Sequence, residues 1–259
     1  MRESVVGTSI QVGTQATQET IHAIESAEVV LFLVADAVSE AWIRKHNRSA
    51  RSLASLYGPD KDRRATYEEI SQEIVREVET GRSVCAAFYG HPGAFALPSR
   101  VAVKLVRERG YEARMLPAVS SADCLYADLL VDPADAGCQS FEATDFLLRH
   151  KRWDPSSHLL LWQVGLVGQV DGGRKSTSQV GLEILVKRLA NEYPQDHEIC
   201  LYEAANLPVA DAQIQHLRLR DLPGRDISVF ATLSVPPAAE REVDLALAEV
   251  LGIGRKYWR

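Results

Sequence analysis

Two groups of residues in this 259-residue chain have types and spacings suited to chemistry. The first is Phe88-Tyr89-Gly90-His91-Pro92-Gly93, set between the apolar run Ser83-Val84-Cys85-Ala86-Ala87 and a helix-like stretch from Pro98 to Glu108. A strand that turns sharply into a helix is where α/β enzymes hold small ligands. The glycines let the backbone approach a ligand, the proline fixes the turn, and a phenol and an imidazole stand ready to stack or hydrogen-bond. The second group is Tyr57, Arg63 and Tyr67. Arg63 and Tyr67 are four apart around a helix start, so their side chains can share a face. A guanidinium beside a phenol favours the phenolate and draws its pKa down from about 10. Taken alone, that spacing reads first as a core-edge tyrosine and a solvated Arg63-Arg64 pair beside Asp60, Lys61 and Asp62.

The elements that must position these groups alternate between strand and helix. Ser4–Ile10, Glu28–Ala35 and Ser83–Tyr89 read as strands. Thr17–Ala27 reads as a helix capped by Thr17, and Thr66–Glu79 as one capped by Thr66, with Glu69 completing a capping box and Ile70, Ile74 and Val78 forming its apolar stripe. Pro98–Gly110 is a third helix. After Pro117 the pattern repeats: helices at Ala122–Leu130, Ser178–Glu192 and Val243–Leu251, and strands at His158–Val164, Ile199–Glu203, Gln213–Leu219 and Ile227–Val235. Strand–helix alternation predicts parallel or mixed sheets covered by helices. Two runs of it predict two α/β lobes, residues 1–117 and 118–259, with a ligand in the cleft between them. Gly168–Lys175 is polar and glycine-rich and reads as a mobile surface loop.

Composition removes several alternatives. A net charge of −6 with no Lys/Arg stripe argues against nucleic acid as a partner. The longest apolar run, Val29–Ala35, is far too short to span a bilayer, and the N-terminus lacks a secretory signal, so the expectation is a cytoplasmic protein without membrane contact. Cys85, Cys124, Cys138 and Cys200 have no CxxC spacing, and the seven histidines show no HExxH or HxH, so no metal site is expected. Gly7–Gly13 lacks the GxGxxG order, and reads as a tight strand-to-helix connection rather than a phosphate cradle.

These pieces together resemble the tetrapyrrole methylase superfamily of S-adenosylmethionine (SAM) enzymes, and more specifically its borosin branch, which methylates backbone amide nitrogens of peptides. The residues that carry the resemblance include Tyr57 with Arg63–Tyr67, Tyr89–Phe95, Met115–Cys124, Gly137–Thr144, Leu161-Trp162-Gln163, Tyr202–Pro208 and Ala231–Pro237. The resemblance covers nearly the whole chain. Ala118, Ser121 and Ala231 depart from the residues usual in that branch.

The resemblance implies a two-lobed tetrapyrrole-methylase-like α/β fold with SAM in the inter-lobe cleft. It names Tyr57, Arg63 and Tyr67 as the catalytic group and leaves open which tyrosine is the base. It places Tyr89, His91, Ala94, Phe95, Ser120, Ser121, Gln163, Ala204, Ala231 and Thr232 along the cofactor. Plainer structural roles exist for several of these: Ser120 and Ser121 could simply cap a helix, and Gln163 could close a strand. Fused members of the branch carry their substrate as a C-terminal tail. With its end at Arg259, this chain is expected to act instead on a separate precursor peptide, as a split system and a homodimer. Two other readings stand beside it: methylation of a tetrapyrrole, RNA or another small molecule, and a SAM-binding module without catalysis.

Overall fold

The computed structural model describes residues 2–58, 61–169, 177–239 and 242–254. Two compact units divide the chain. One comprises Met1–Val131, Gln169–Ser176 and Tyr202–Ile214; the other comprises Asp132–Gly168, Thr177–Leu201 and Gln215–Arg259. The first unit thus runs past the expected boundary at residue 117 and recruits a later segment.

The first unit is built on a five-stranded sheet in the order β3-β2-β4-β1-β5, from β1 (Arg2–Gly7), β2 (Val29–Leu33), β3 (Arg51–Ser52), β4 (Val84–Phe88) and β5 (Glu112–Met115). Every pairing in it is parallel. β2 and β4 are unbroken apolar runs because both faces of the sheet are covered. Side chains alternate between two cores. Val5, Val29, Leu31, Val84, Ala86 and Phe88 pack with Ile70, Ile74 and Val78 of α3 (Arg63–Glu79) and Ala102 and Val106 of α4 (Leu97–Glu108). Val6, Val30, Phe32, Cys85 and Ala87 pack instead with Ile24 of α1 (Gln18–Ser26) and Ile43 of α2 (Ala37–His46). Strand order reverses at β1 and β4, and their carboxyl ends lie side by side, Gly7 level with Phe88. That is the position where an open parallel sheet leaves a crevice for a ligand.

The helix ends follow from local chemistry. Thr17 caps α1, its hydroxyl accepting from the Thr20 N–H, as its position implies. The expected cap at Thr66 is corrected: α3 begins at Arg63, and Asp62 is its N-cap, the carboxylate accepting from the Arg64 and Ala65 N–H groups. Asp is as good a cap as Thr, and capping there adds most of a turn to the helix. Glu69 therefore closes no capping box; it pairs with Lys61. Ser120 and Asp123 form a reciprocal capping box on α5 (Ser121–Asp128).

The second unit's core gathers Phe146 of α6 (Ala143–Leu148), Leu159 and Leu161 of β7 (His158–Trp162), Leu182, Leu185 and Leu189 of α7 (Gln179–Leu189), and Leu233 and Val235 of β10 (Thr232–Val235). The second sheet runs β6-β7-β10-β8-β9, with β6 (Cys138–Glu142), β8 (Glu198–Glu203) and β9 (Gln213–Arg218) as the other strands. β6 and β7 are parallel, and β7 and β10 antiparallel. β10 is shorter than the expected Ile227–Val235, because the chain turns at Ser228–Ala231, where the Ala231 N–H donates to the Ser228 carbonyl at 3.0 Å. A last helix, α8 (Leu245–Val250), follows. Most of the anticipated loop at Gly168–Lys175 lies outside the described residues.

Candidate functional site

In the first unit, three loops converge at the carboxyl ends of β1, β4 and β5. Gly7 shows how close they come. A Cβ added there would lie 2.1 Å from the Gly90 carbonyl oxygen and 2.6 Å from both Pro92 Cδ and Ala118 Cβ. Only a glycine admits the Tyr89–Phe95 turn and the Pro117–Ser121 segment at this distance. The turn itself is held from within. Gly90 has φ +68°, the Gly93 N–H donates to Nδ1 of His91 at 2.9 Å, and Ser99 Oγ donates to the carbonyls of Pro92 and Ala96. With Nδ1 accepting, a neutral His91 carries its proton on Nε2.

Of the expected cofactor positions, Tyr89, His91, Ala94, Phe95, Ser120, Ser121 and Ala204 belong to this unit. Tyr89 and His91 are half-buried, and Ala94 and Phe95 are exposed. Phe95 sits in the left-handed region at φ 53°, a backbone that a non-glycine residue holds only when its surroundings impose it. Burial pushes the Tyr89 phenol up to about 12, with Cys124, Asp36 and Glu203 adding to the rise. The Tyr89 phenol is therefore neutral at ordinary pH. Behind it, the buried Tyr202 hydroxyl donates to Asp128 Oδ2 at 2.7 Å, and burial together with that carboxylate pushes this phenol up as well.

The Tyr-Arg-Tyr group is also in this unit. Tyr57 closes the 3-10 turn Ala54–Leu56, which packs on α3, and Arg63 is the first residue of α3. The Arg63 side chain lies outside the described residues. Tyr57 is 43% exposed. Tyr67 is half-buried against the α3–α4 core. Ser71 Oγ reaches both the Tyr67 carbonyl at 2.8 Å and the Pro98 carbonyl at 3.1 Å. That hydroxyl fixes the Tyr67 turn against the start of α4, three residues past Phe95.

In the second unit, Gln163, Ala231 and Thr232 come together because β7 and β10 are neighbours: the Val164 N–H donates to the Ala231 carbonyl at 3.2 Å. Gln163 follows β7 in the left-handed region, φ 55°. Ala231 and Thr232 are buried.

Sequence reasoning passed over Gln15, and met Ser9, Gln11 and Asp128 only as members of longer stretches, without giving them individual roles. Ser9 is buried with φ 62° and bridges to Gly90. Gln11, Gln15, Asp123, Cys124, Asp128 and Asp211 border a cleft of about 370 Å³ within the first unit. Gly7 was the signal available: a glycine ending an apolar strand marks a close approach as well as a turn.

The switch-point loops and the doubly covered parallel sheet define an α/β protein with a crevice at the ends of β1 and β4, the position where open parallel sheets bind small ligands. The tetrapyrrole (corrin/porphyrin) methylase model matches residues 4–223, and the chain belongs to that family. Among curated relatives, the methyltransferase/cyclic peptide gymnopeptides precursor of Gymnopus fusipes is 38% identical over 238 residues, 90% of this chain and 57% of the relative. The type I borosin cyclic peptide precursor of Serendipita vermifera subsp. bescii, also named a methyltransferase, is 35% identical over 262 residues, 99% of this chain and 64% of the relative. The chain therefore spans less than two thirds of the length of these relatives. Among solved structures, uroporphyrin-III-C-methyltransferase from Thermus thermophilus matches with a TM-score of 0.65 at 18% identity, over 96% of both chains. Diphthine synthase matches with a TM-score of 0.64 at 13% identity, over 93% of this chain and 92% of that one. At those identities the two structures speak for the fold.

Proposed function

We propose that this chain is a SAM-dependent methyltransferase that N-methylates backbone amides of a ribosomally made precursor peptide, supplied as a separate chain. The observation that carries the reading is the placement of Tyr67: its helix turn is tied through Ser71 to the start of α4, directly after the Tyr89–Phe95 turn. The relatives named as methyltransferases fused to cyclic-peptide precursors support the substrate class.

The residues fit SAM. In the first unit, Gly7 leaves the loops at the ends of β1 and β4 in backbone contact, Ala94 and Ala204 are small, and Ser121 offers a hydroxyl; in the second unit, Gln163 and Thr232 offer an amide and a hydroxyl. When bound, SAM supplies an electrophilic methyl on a sulfonium. The chain must do the rest. A peptide nitrogen shares its lone pair with the carbonyl and is a poor nucleophile. Tyr57 or Tyr67, as phenolate, takes the amide proton, and Arg63 holds the negative charge that develops on the amide oxygen. Tyr89, protonated up to about 12, donates a hydrogen bond and leaves the base role to the other two. Alignment of nitrogen and methyl contributes up to ~7–11 kcal/mol in favourable cases.

The reading includes a homodimer, a cytoplasmic location, and neither nucleic acid nor membrane as partner; among the described residues no helix is long and apolar enough to cross a bilayer. The test incubates purified protein with SAM and the peptides encoded beside its gene, and reads the products by tandem mass spectrometry. Methyl groups on backbone nitrogens, lost in Arg63→Ala and Tyr67→Phe while SAM still binds, are expected. Full turnover by either variant overturns the assigned roles.

A further inference from the structure

Ser9 joins three segments of the candidate site. It is fully buried and sits at φ 62°, a conformation that glycine adopts freely and serine does not. A glycine here would relax the backbone but would bring no hydroxyl. Serine's N–H donates to the Gly90 carbonyl at 3.2 Å, and its carbonyl accepts from the Gly90 N–H at 3.1 Å. Its Oγ donates to the Gln15 carbonyl at 3.0 Å and accepts from the Val119 N–H at 3.1 Å. One residue thus joins the β1 loop, the turn after β4 and the segment leading into α5. Gln15 extends the same connection. Its Oε1 accepts from the Gln11 N–H at 2.9 Å, and its Nε2 donates to Cys124 Sγ at 3.7 Å.

We infer that Ser9 is a positioning residue whose hydroxyl holds Val119–Ser121 in one placement against the Tyr89–His91 turn, so that both segments are set before SAM arrives. The inference rests on the proposed function, which puts SAM against these segments. The backbone bonds to Gly90 survive substitution, and the two bonds made by Oγ do not. The role is therefore separable from the fold.

The test compares wild type with Ser9→Gly, Ser9→Ala and Ser9→Cys. Calorimetry measures binding of S-adenosylhomocysteine, the stable product form of the cofactor. Hydrogen exchange reads the Val119 amide, and melting curves read stability. Ser9→Gly relieves the left-handed backbone, so its Tm stays near wild type. Its Kd is expected to rise about tenfold, the cost of one orphaned buried donor, and Val119 exchange to quicken. Ser9→Cys keeps the side-chain shape in a slightly larger form with weaker hydrogen bonds, and its Kd is expected between those of wild type and Ser9→Gly; with Ser9→Gly it keeps the test decisive if Ser9→Ala folds poorly. Wild-type affinity in a folded Ser9→Gly, or unchanged protection of Val119, overturns the inference and leaves the function standing. A wild-type protein that binds no S-adenosylhomocysteine overturns the functional reading, and the positioning role with it.

Discussion

Glu3 is the least comfortable group in the fold and gives a quantitative prediction. It lies in β1 between β4 and β5, is fully buried, and neither carboxylate oxygen has a hydrogen-bond partner among the described residues. Burial raises its pKa from the ordinary 4.5 to about 7, and the Arg107 charge offsets only part of this. Arg107 is committed elsewhere, its guanidinium donating twice to the Ala113 carbonyl. Between pH 4.5 and 7 the folded chain keeps a proton on Glu3 that the unfolded chain has lost, so stability falls as pH rises through that window. At about 1.4 kcal/mol per tenfold, the full penalty above pH 7 is about 3 kcal/mol. Glu3→Gln keeps the shape and removes the charge. Against wild type it should be near neutral at pH 4 and about 3 kcal/mol more stable at pH 8, a Tm higher by about 6 °C for a chain of this size. Melting curves for both proteins from pH 4 to 8 measure the gap. Parallel stability profiles would mean that Glu3 ionises freely or finds a partner, and the reasoning would fail.

Gly7→Ala must displace the Gly90 carbonyl, so a loss of about 2 kcal/mol and several degrees of Tm is expected, with weaker S-adenosylhomocysteine binding by calorimetry; an unchanged Tm would refute the close approach. Asp62→Ala removes the cap of α3 and should cost about 1 kcal/mol in chemical denaturation, while Asp62→Asn, which can still accept from the Arg64 and Ala65 N–H groups, should change little.

The parallel sheet was legible in the sequence because its inner strands announce themselves. Glu28–Ala35 and Ser83–Tyr89 are apolar without alternation, as strands buried on both faces must be. The stripe of Ile70, Ile74 and Val78 in α3 was equally plain, and all three face one core. What escaped detection had weaker local signals. β3 is two residues long, β5 alternates Glu112, Ala113, Arg114 and Met115 at the sheet edge, and α2 buries only Ser39 and Ile43, too few positions for a clear stripe. Thr66 looked like a cap because it precedes Glu69 by three, yet Asp62 lay one turn earlier, and its carboxylate accepts from the Arg64 and Ala65 N–H groups. The Tyr89 turn was visible as a Gly-Pro punctuation after a strand. The Ser9–Val119 bond spans 110 residues, and no local pattern encodes it. Buried left-handed residues such as Ser9 are imposed by tertiary contacts, so they surface only once the loops are placed.

The central claim is that an arginine-activated tyrosine at the head of α3 deprotonates a backbone amide for methyl transfer. The most direct measurement is tandem mass spectrometry of a peptide encoded beside the gene, incubated with SAM and either wild type or Tyr57→Phe, Arg63→Ala or Tyr67→Phe. The account predicts methyl groups on backbone nitrogens with wild type and none with Arg63→Ala or Tyr67→Phe, while all four proteins bind S-adenosylhomocysteine. Methylation confined to side chains, or undiminished transfer by Arg63→Ala, would contradict it.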